Sequence, residues 1–162
     1  MKKIRVSQSV FQEKTSLSFL YEEACPHFMQ VEGRRPLKPL EDIREHIGVP
    51  PEEVVTCYTI YYGNDVAGYA WILEKPKIYY YILHFYIGDD FKRRGIGKEA
   101  LLAFDAIYKK KGISQSELLV SGSNYFGLAF WVSMGYNSIV YFEAPAENSP
   151  TTSVELELAR EF

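Results

Sequence analysis

Apolar and polar positions alternate over Ile4 to Ser7, which predicts a short first strand, and switch to helical spacing from Phe11 to Gln30 at Leu17, Leu20, Tyr21, Ala24 and Phe28. Pro26 is expected to break or kink that helix. Gly33-Arg34-Arg35-Pro36-Leu37-Lys38-Pro39 predicts a loop, and Leu40 to Ile47 a short amphipathic helix ending at Gly48. From Val54 the residues turn β-branched and aromatic. Val54 to Tyr62 and Val66 to Leu73, joined by Gly63-Asn64-Asp65, predict a hairpin. Ile78 to Ile87 predicts an aromatic strand, followed by a basic glycine turn and a helix reaching about Lys111 that buries Leu101, Phe104, Ile107 and Tyr108. Glu117 to Ser121 reads as a buried strand parallel to Ile78 to Ile87, because a helix connects the two. A second helix runs from Gly122-Ser123-Asn124 to Met134 and closes at Gly135. Tyr136 to Ala144 and Val154 to Ala159 then form an antiparallel pair across a polar loop around Asn148-Ser149-Pro150. The pattern predicts one mixed α/β domain over residues 1–162, a mixed sheet with helices on its faces.

Composition narrows the function classes. The 18 Lys+Arg against 21 Asp+Glu leave a net charge of −3, so a broad nucleic-acid footprint is not expected. No run approaches the ~20 apolar residues of a membrane span, and the first thirty residues lack a signal-peptide pattern. Cys25 and Cys57 are too few for a disulfide framework, which fits a cytoplasmic protein, and each reads as a small buried hydrophobe. Aromatic residues reach 15%, enough to line a pocket as well as fill a core.

The segment Tyr86-Ile87-Gly88-Asp89-Asp90-Phe91-Lys92-Arg93-Arg94-Gly95-Ile96-Gly97-Lys98 joins strand, basic glycine turn and helix start without a gap. Glycines let the backbone approach an anion, and the unpaired amides and partial positive charge of the first helical turn attract phosphate. A solvated turn with a charge run is the plain structural alternative. A P-loop fails, since no glycine stands five residues before Gly97 and Glu99 occupies the Ser/Thr place. Gly95-x-Gly97-x-x-Ala100 formally fits a dinucleotide fingerprint. However, Glu117 would begin its strand rather than end it, at the wrong edge for a ribose hydroxyl.

Lys92-Arg93-Arg94-Gly95-Ile96-Gly97 resembles the Q/R-x-x-G-x-G/A pyrophosphate loop of the GNAT superfamily of N-acetyltransferases, with Lys92 in the Gln/Arg place. Asn124-x-x-Gly127-x-x-x-Trp131-x-x-x-Gly135-Tyr136 is similar in spacing to a second pattern of that family, N-x-x-A-x-x-x-Y-x-x-x-G-F. The resemblance implies a central, mostly antiparallel sheet of six to seven strands with a splayed parallel pair, flanked by about four helices. It also implies acetyl-CoA as co-substrate, with no metal. Main-chain groups at Phe85, Tyr86 and Ile87 would be left open for pantetheine, while Lys92, Arg93, Arg94, Gly95, Ile96, Gly97 and Lys98 would hold the pyrophosphate. Asn124, together with Gly127, would meet the pantetheine arm, or Asn124 would simply cap its helix.

Acetyl transfer needs a neutral amine, and a free alkylamine with a pKa of about 10.4 is protonated at neutral pH. His84 is the candidate base by location, with a packed structural histidine as the alternative. The amide of Tyr86 or Ile87 would stabilise the oxyanion. Trp131 stands where the family commonly has a proton-donating tyrosine. Indole is no acid in this range, so Trp131 would orient or cover the thioester, with Tyr125 or solvent supplying the proton. Acceptor choice falls to the 33–39 loop and to aromatics such as Phe28, Tyr58, Tyr61, Tyr79 and Tyr81. Two alternatives stay open: an acyl-CoA sensor without turnover and, further off, a dinucleotide oxidoreductase. An exposed final strand suggests a homodimer.

Overall fold

The structure, a computed structural model, describes residues 2–148 and 153–162. Its strands are β1 (Ile4–Gln8), β2 (Val54–Tyr62), β3 (Asp65–Lys75), β4 (Tyr79–Ile87), β5 (Gln115–Ser121), β6 (Ser138–Glu143) and β7 (Glu155–Glu161). The helices are α1 (Lys14–Val31), α2 (Arg44–Ile47), α3 (Ile96–Lys109) and α4 (Tyr125–Ser133). The sheet order is β1-β2-β3-β4-β5-β7-β6, antiparallel throughout except for the parallel β4–β5 pair. This seven-stranded mixed α/β sheet with four helices is the architecture that the sequence resemblance implies.

Two apolar layers sandwich the sheet. On one face Leu101, Phe104 and Tyr108 of α3 pack against Ile82, Leu118 and Trp131. On the other, Leu17, Leu20 and Ala24 of α1 pack against Tyr69, Trp71 and Tyr86. Asp105 is buried on α3 among these apolar groups because Arg160 (2.5 Å) and the Tyr80 hydroxyl (2.6 Å) both bond it. Gly68 allows β3 and β4 to close tightly: a Cβ there would stand 2.2 Å from the Tyr86 carbonyl oxygen.

Three expectations are corrected. Helix α1 runs unbroken through Pro26, since Pro26 and Glu22, whose carbonyl loses its helical donor, both lie on the exposed face where water can serve that oxygen. The short second helix begins at Arg44 rather than Leu40, because Leu40 takes a left-handed φ of 62°, outside the helical range. The final strand is not the exposed one. β7 is paired on both sides, and the free edge belongs to β6, where Ile139, Val140, Tyr141 and Phe142 are 50–65% exposed. Ser149 and Pro150 of the polar loop lie outside the described residues.

Candidate functional site

The site is built on a fault in β4. Trp71 pairs with His84 and Ile72 with Ile82, so Leu83 is an extra residue with no partner on β3. Such a bulge changes which face the following side chains take. Tyr80 and Ile82 face the α3 layer, whereas Leu83 turns to the α1 layer and His84 stacks there on Tyr69 (4.5 Å) and Phe28 (5.0 Å). Pairing with β5 also stops here, at Ile82–Leu118. Beyond it β4 and β5 part, leaving a cavity of about 1030 Å³ that runs from the start of α3 to the loop after α1.

The divergence leaves backbone unpaired. Gly88 donates to the Ala67 carbonyl at 2.8 Å, so by the two-residue alternation of a ladder the Tyr86 amide also turns to β3 and those of Phe85 and Ile87 face the cavity. Of the two amides predicted for an oxyanion, Ile87 therefore keeps that orientation and Tyr86 does not. The Tyr86 hydroxyl is equally committed, donating to Glu23 at 2.9 Å, and burial, with this bond second, holds its pKa well above the ordinary phenol value.

At one end of the cavity α3 begins at Gly95, whose φ of 76° suits a residue without a side chain. The first helical bond runs from the Glu99 amide to the Gly95 carbonyl (3.1 Å), so the amides of Ile96, Gly97 and Lys98 have no partner within the helix. Lys92, Arg93 and Lys98 also line this end, and Arg94 is exposed without lining it. Lys92 is anchored to Asp89 at 2.5 Å and lies over the Tyr86 ring, and this contact lowers the Asp89 pKa. A Cβ on Gly97 would approach Phe130 to 3.3 Å and stand in the space over the loop. Three free amides at a helix N-terminus with flexible cations beside them have the makings of an anion cradle, and the open strand edge beyond it presents unpaired backbone groups of the kind an amide-bearing chain pairs with.

Asn124 caps α4: its Oδ1 accepts from the Gly127 amide at 3.0 Å, and its Nδ2 donates to Glu32 at 2.8 Å. Gly127 is required by this cap, since a Cβ would sit 2.6 Å from the Asn124 side chain. Trp131, 8% exposed, forms cavity wall, edge-on to Phe85 (5.4 Å), Phe130 (4.8 Å) and Tyr136 (5.4 Å). Tyr125 is 76% exposed and does not line the cavity, so it is not placed to deliver a proton there.

The other end is made by α1 and the loop after it. His84 is 5% exposed, its Nε2 has no hydrogen-bond partner, and burial pushes its pKa down to about 3. Phe28, Leu37, Ile47, Leu83 and Tyr81 line the cavity with it, as do Arg34 and Arg35. Of the other predicted aromatics, Tyr58 packs against Phe104 on the opposite face, Tyr61 lies under Arg5, and Tyr79 does not line the cavity. Glu32 was not singled out by the sequence, yet it ties the end of α1 across to the Ser121 amide (3.0 Å) and Asn124. A lone carboxylate at a helix end carries no motif that reveals this. Among the described residues no group of three or more His, Cys, Asp or Glu side chains is placed to hold a metal ion, and no helix is long and apolar enough to cross a membrane.

Comparison with known proteins agrees with this geometry. The fold is similar to that of a Salmonella typhimurium acetyl transferase that modifies the N-terminal serine of 50S ribosomal subunit protein L7/L12, at 16% identity over 98% of this chain and 95% of that one, with a TM-score of 0.75. It is similar to the ribosomal-protein-S18-alanine N-acetyltransferase of Escherichia coli at 12% identity, 98% and 94% coverage and a TM-score of 0.68. A GNAT family acetyltransferase from Elizabethkingia anophelis with acetyl-CoA bound aligns at 15% identity, 98% of both chains and a TM-score of 0.63. No curated protein sequence matches. The family model for the Acetyltransferase (GNAT) family matches residues 17–136, which include both glycine-bearing motifs, the bulged strand and every residue lining the cavity, and the chain belongs to that family.

Proposed function

We propose that this protein is an acetyl-CoA-dependent N-acetyltransferase acting on a primary amine by direct attack in a ternary complex. The observation that carries this reading is the parting of β4 from β5 at Leu83, which opens strand amides next to the anion cradle of α3. The residues fit coenzyme A: the Ile96, Gly97 and Lys98 amides with Lys98 and Arg93 hold the diphosphate, and the Phe85–Ile87 edge receives the pantetheine amides. The coenzyme supplies the acetyl group as a thioester, so the amine nitrogen gains the C–N bond, the C–S bond breaks, and the thiolate leaves with a proton balanced by the one the amine sheds.

On the acceptor side, the neutral environment around His84 favours the uncharged, nucleophilic amine, because burial penalises an ammonium as it penalises the imidazolium. The imidazole of neutral His84, buried between the Tyr69 and Phe28 rings with its Nε2 unpartnered, keeps the floor of this half uncharged. The Ile87 amide faces the cavity where a carbonyl oxygen can be held. Trp131 covers the reacting region and excludes water without donating a proton. With Tyr125 turned outward, the thiolate takes its proton from solvent, tolerable for a thiol whose pKa is near the ~8.5 of cysteine.

The missing acid favours one second reading, an acyl-CoA-binding module without turnover. Incubation with acetyl-CoA and a panel of amines, read as free thiol above background, separates the two. Amine-dependent thiol release supports the enzyme. Coenzyme binding with no release across the panel supports the sensor.

A further inference from the structure

The acceptor half of the cavity has features that select among amines. Pro36 and Leu37 line it, within the segment Pro36-Leu37-Lys38-Pro39, in which both prolines are buried. The segment is fastened to β3 by two bonds: the Tyr69 hydroxyl donates to the Leu37 carbonyl (2.9 Å) and the Trp71 indole N–H to the Lys38 carbonyl (3.1 Å). Two such bonds hold the loop in place beside the cavity. Phe28, Leu37, Ile47 and Leu83 make its walls apolar.

The charges at the mouth are one-sided. Glu32 is the sole acidic residue lining the cavity among the described residues, and its oxygens already accept from Ser121 and Asn124, with Arg34 at 3.5 Å. A second cationic group on an acceptor would find no free carboxylate. Arg35 is the reverse case. It lines the same mouth beside the Tyr21 hydroxyl, and among the described residues no carboxylate lies within ion-pair distance of it. A guanidinium that hydrogen-bonds Tyr21 but no carboxylate, at the rim of an apolar chamber, keeps donors for a planar anion, which it can grip with two hydrogen bonds.

We infer that the acceptor is a small amine with an apolar body and a carboxylate, of the kind an apolar α-amino acid presents, with the carboxylate on Arg35 and the body against Phe28 and Leu83. This rests on the acetyltransferase reading above and adds the substrate class. It disfavours polyamines, whose extra cations meet Arg34 and Arg35.

The test compares phenylalanine with 2-phenylethylamine, the same amine without the carboxylate, and adds spermidine and a peptide with a free N-terminus and an amidated C-terminus. Thiol release should favour phenylalanine over phenylethylamine by about tenfold or more in kcat/KM, and Arg35→Gln should shrink that ratio toward one. A calorimetric titration of N-acetylphenylalanine into the CoA-loaded protein reads the same contact without turnover and should weaken by about tenfold in Arg35→Gln. Equal or better use of phenylethylamine, spermidine or the peptide overturns the inference while sustaining acetyl transfer. Absence of N-acetylphenylalanine binding, or a ratio indifferent to Arg35, also overturns it. Coenzyme binding and N-acetylphenylalanine binding without thiol release from any amine would instead contradict turnover and leave the carboxylate site standing.

Discussion

The two halves of the cavity are made of different material. The half at α3 is made largely of backbone: amides of Ile96, Gly97 and Lys98, the open edge at Phe85 and Ile87, and glycines that keep side chains out of the way. The half under α1 is made of side chains from distant segments, with His84 from β4, Phe28 from α1 and Leu37 from a pinned loop. Backbone recognition tolerates exchange at most neighbouring positions but fixes the glycines. Side-chain recognition tolerates no single rule and leaves room for acceptor specificity to change.

Substitutions should therefore fall into separable classes. The largest effect is expected where both halves depend on one contact. Gly68→Val would drive a Cβ into the Tyr86 carbonyl, with only backbone to yield, and should cost about 3 kcal/mol or more, or prevent folding; denaturant unfolding checks this. Next comes the protonation of His84. Its folded pKa of about 3 lies below the ~6.5 of the unfolded chain, so the unfolded chain takes up a proton that the folded chain refuses. Stability is fully present above pH ~6.5 and should fall by about 1.4 kcal/mol per pH unit as pH drops from there toward 3. His84→Gln should remove that part of the slope in denaturation curves taken across the range.

A smaller effect belongs to the α3 half alone. Gly97→Val would crowd Phe130 and fill the approach to the free amides, and should weaken CoA binding by about tenfold, measured by calorimetry, while the pH slope from His84 persists. The smallest is Trp131→Tyr, which leaves an aromatic wall against Phe85 and adds a hydroxyl. Turnover should stay within about threefold of the parent or rise, and a large loss would mean that indole shape matters more than proton supply.

The same division explains what the sequence made visible. Glycine spacing at Gly95 and Gly127 records backbone geometry directly, because a φ of 76° favours a residue without a side chain and a Cβ at Gly127 would stand 2.6 Å from Asn124. Hydrophobic period located every strand and most of the helices. It erred at Leu40, where a single left-handed residue decided the outcome, and the break expected from Pro26 is absent because that face of the helix is exposed. The face of His84 was hidden because one unpaired residue, Leu83, reverses the alternation, and a bulge leaves no mark in composition. Tyr125 illustrates the opposite error: it adjoins Asn124 in the motif, but the first turn of α4 points it into solvent. Glu32 and Arg35 reach the cavity only through the long-range path of α1, which no local pattern encodes.

Amide hydrogen exchange with and without acetyl-CoA addresses the coenzyme site at single-residue resolution. Saturating acetyl-CoA should slow exchange at Phe85, Ile87, Ile96, Gly97 and Lys98, and leave the β3-facing amide of Tyr86 little changed. Unaltered exchange at those five amides, with the coenzyme in large excess, would contradict a thioester site at the junction of β4 and α3.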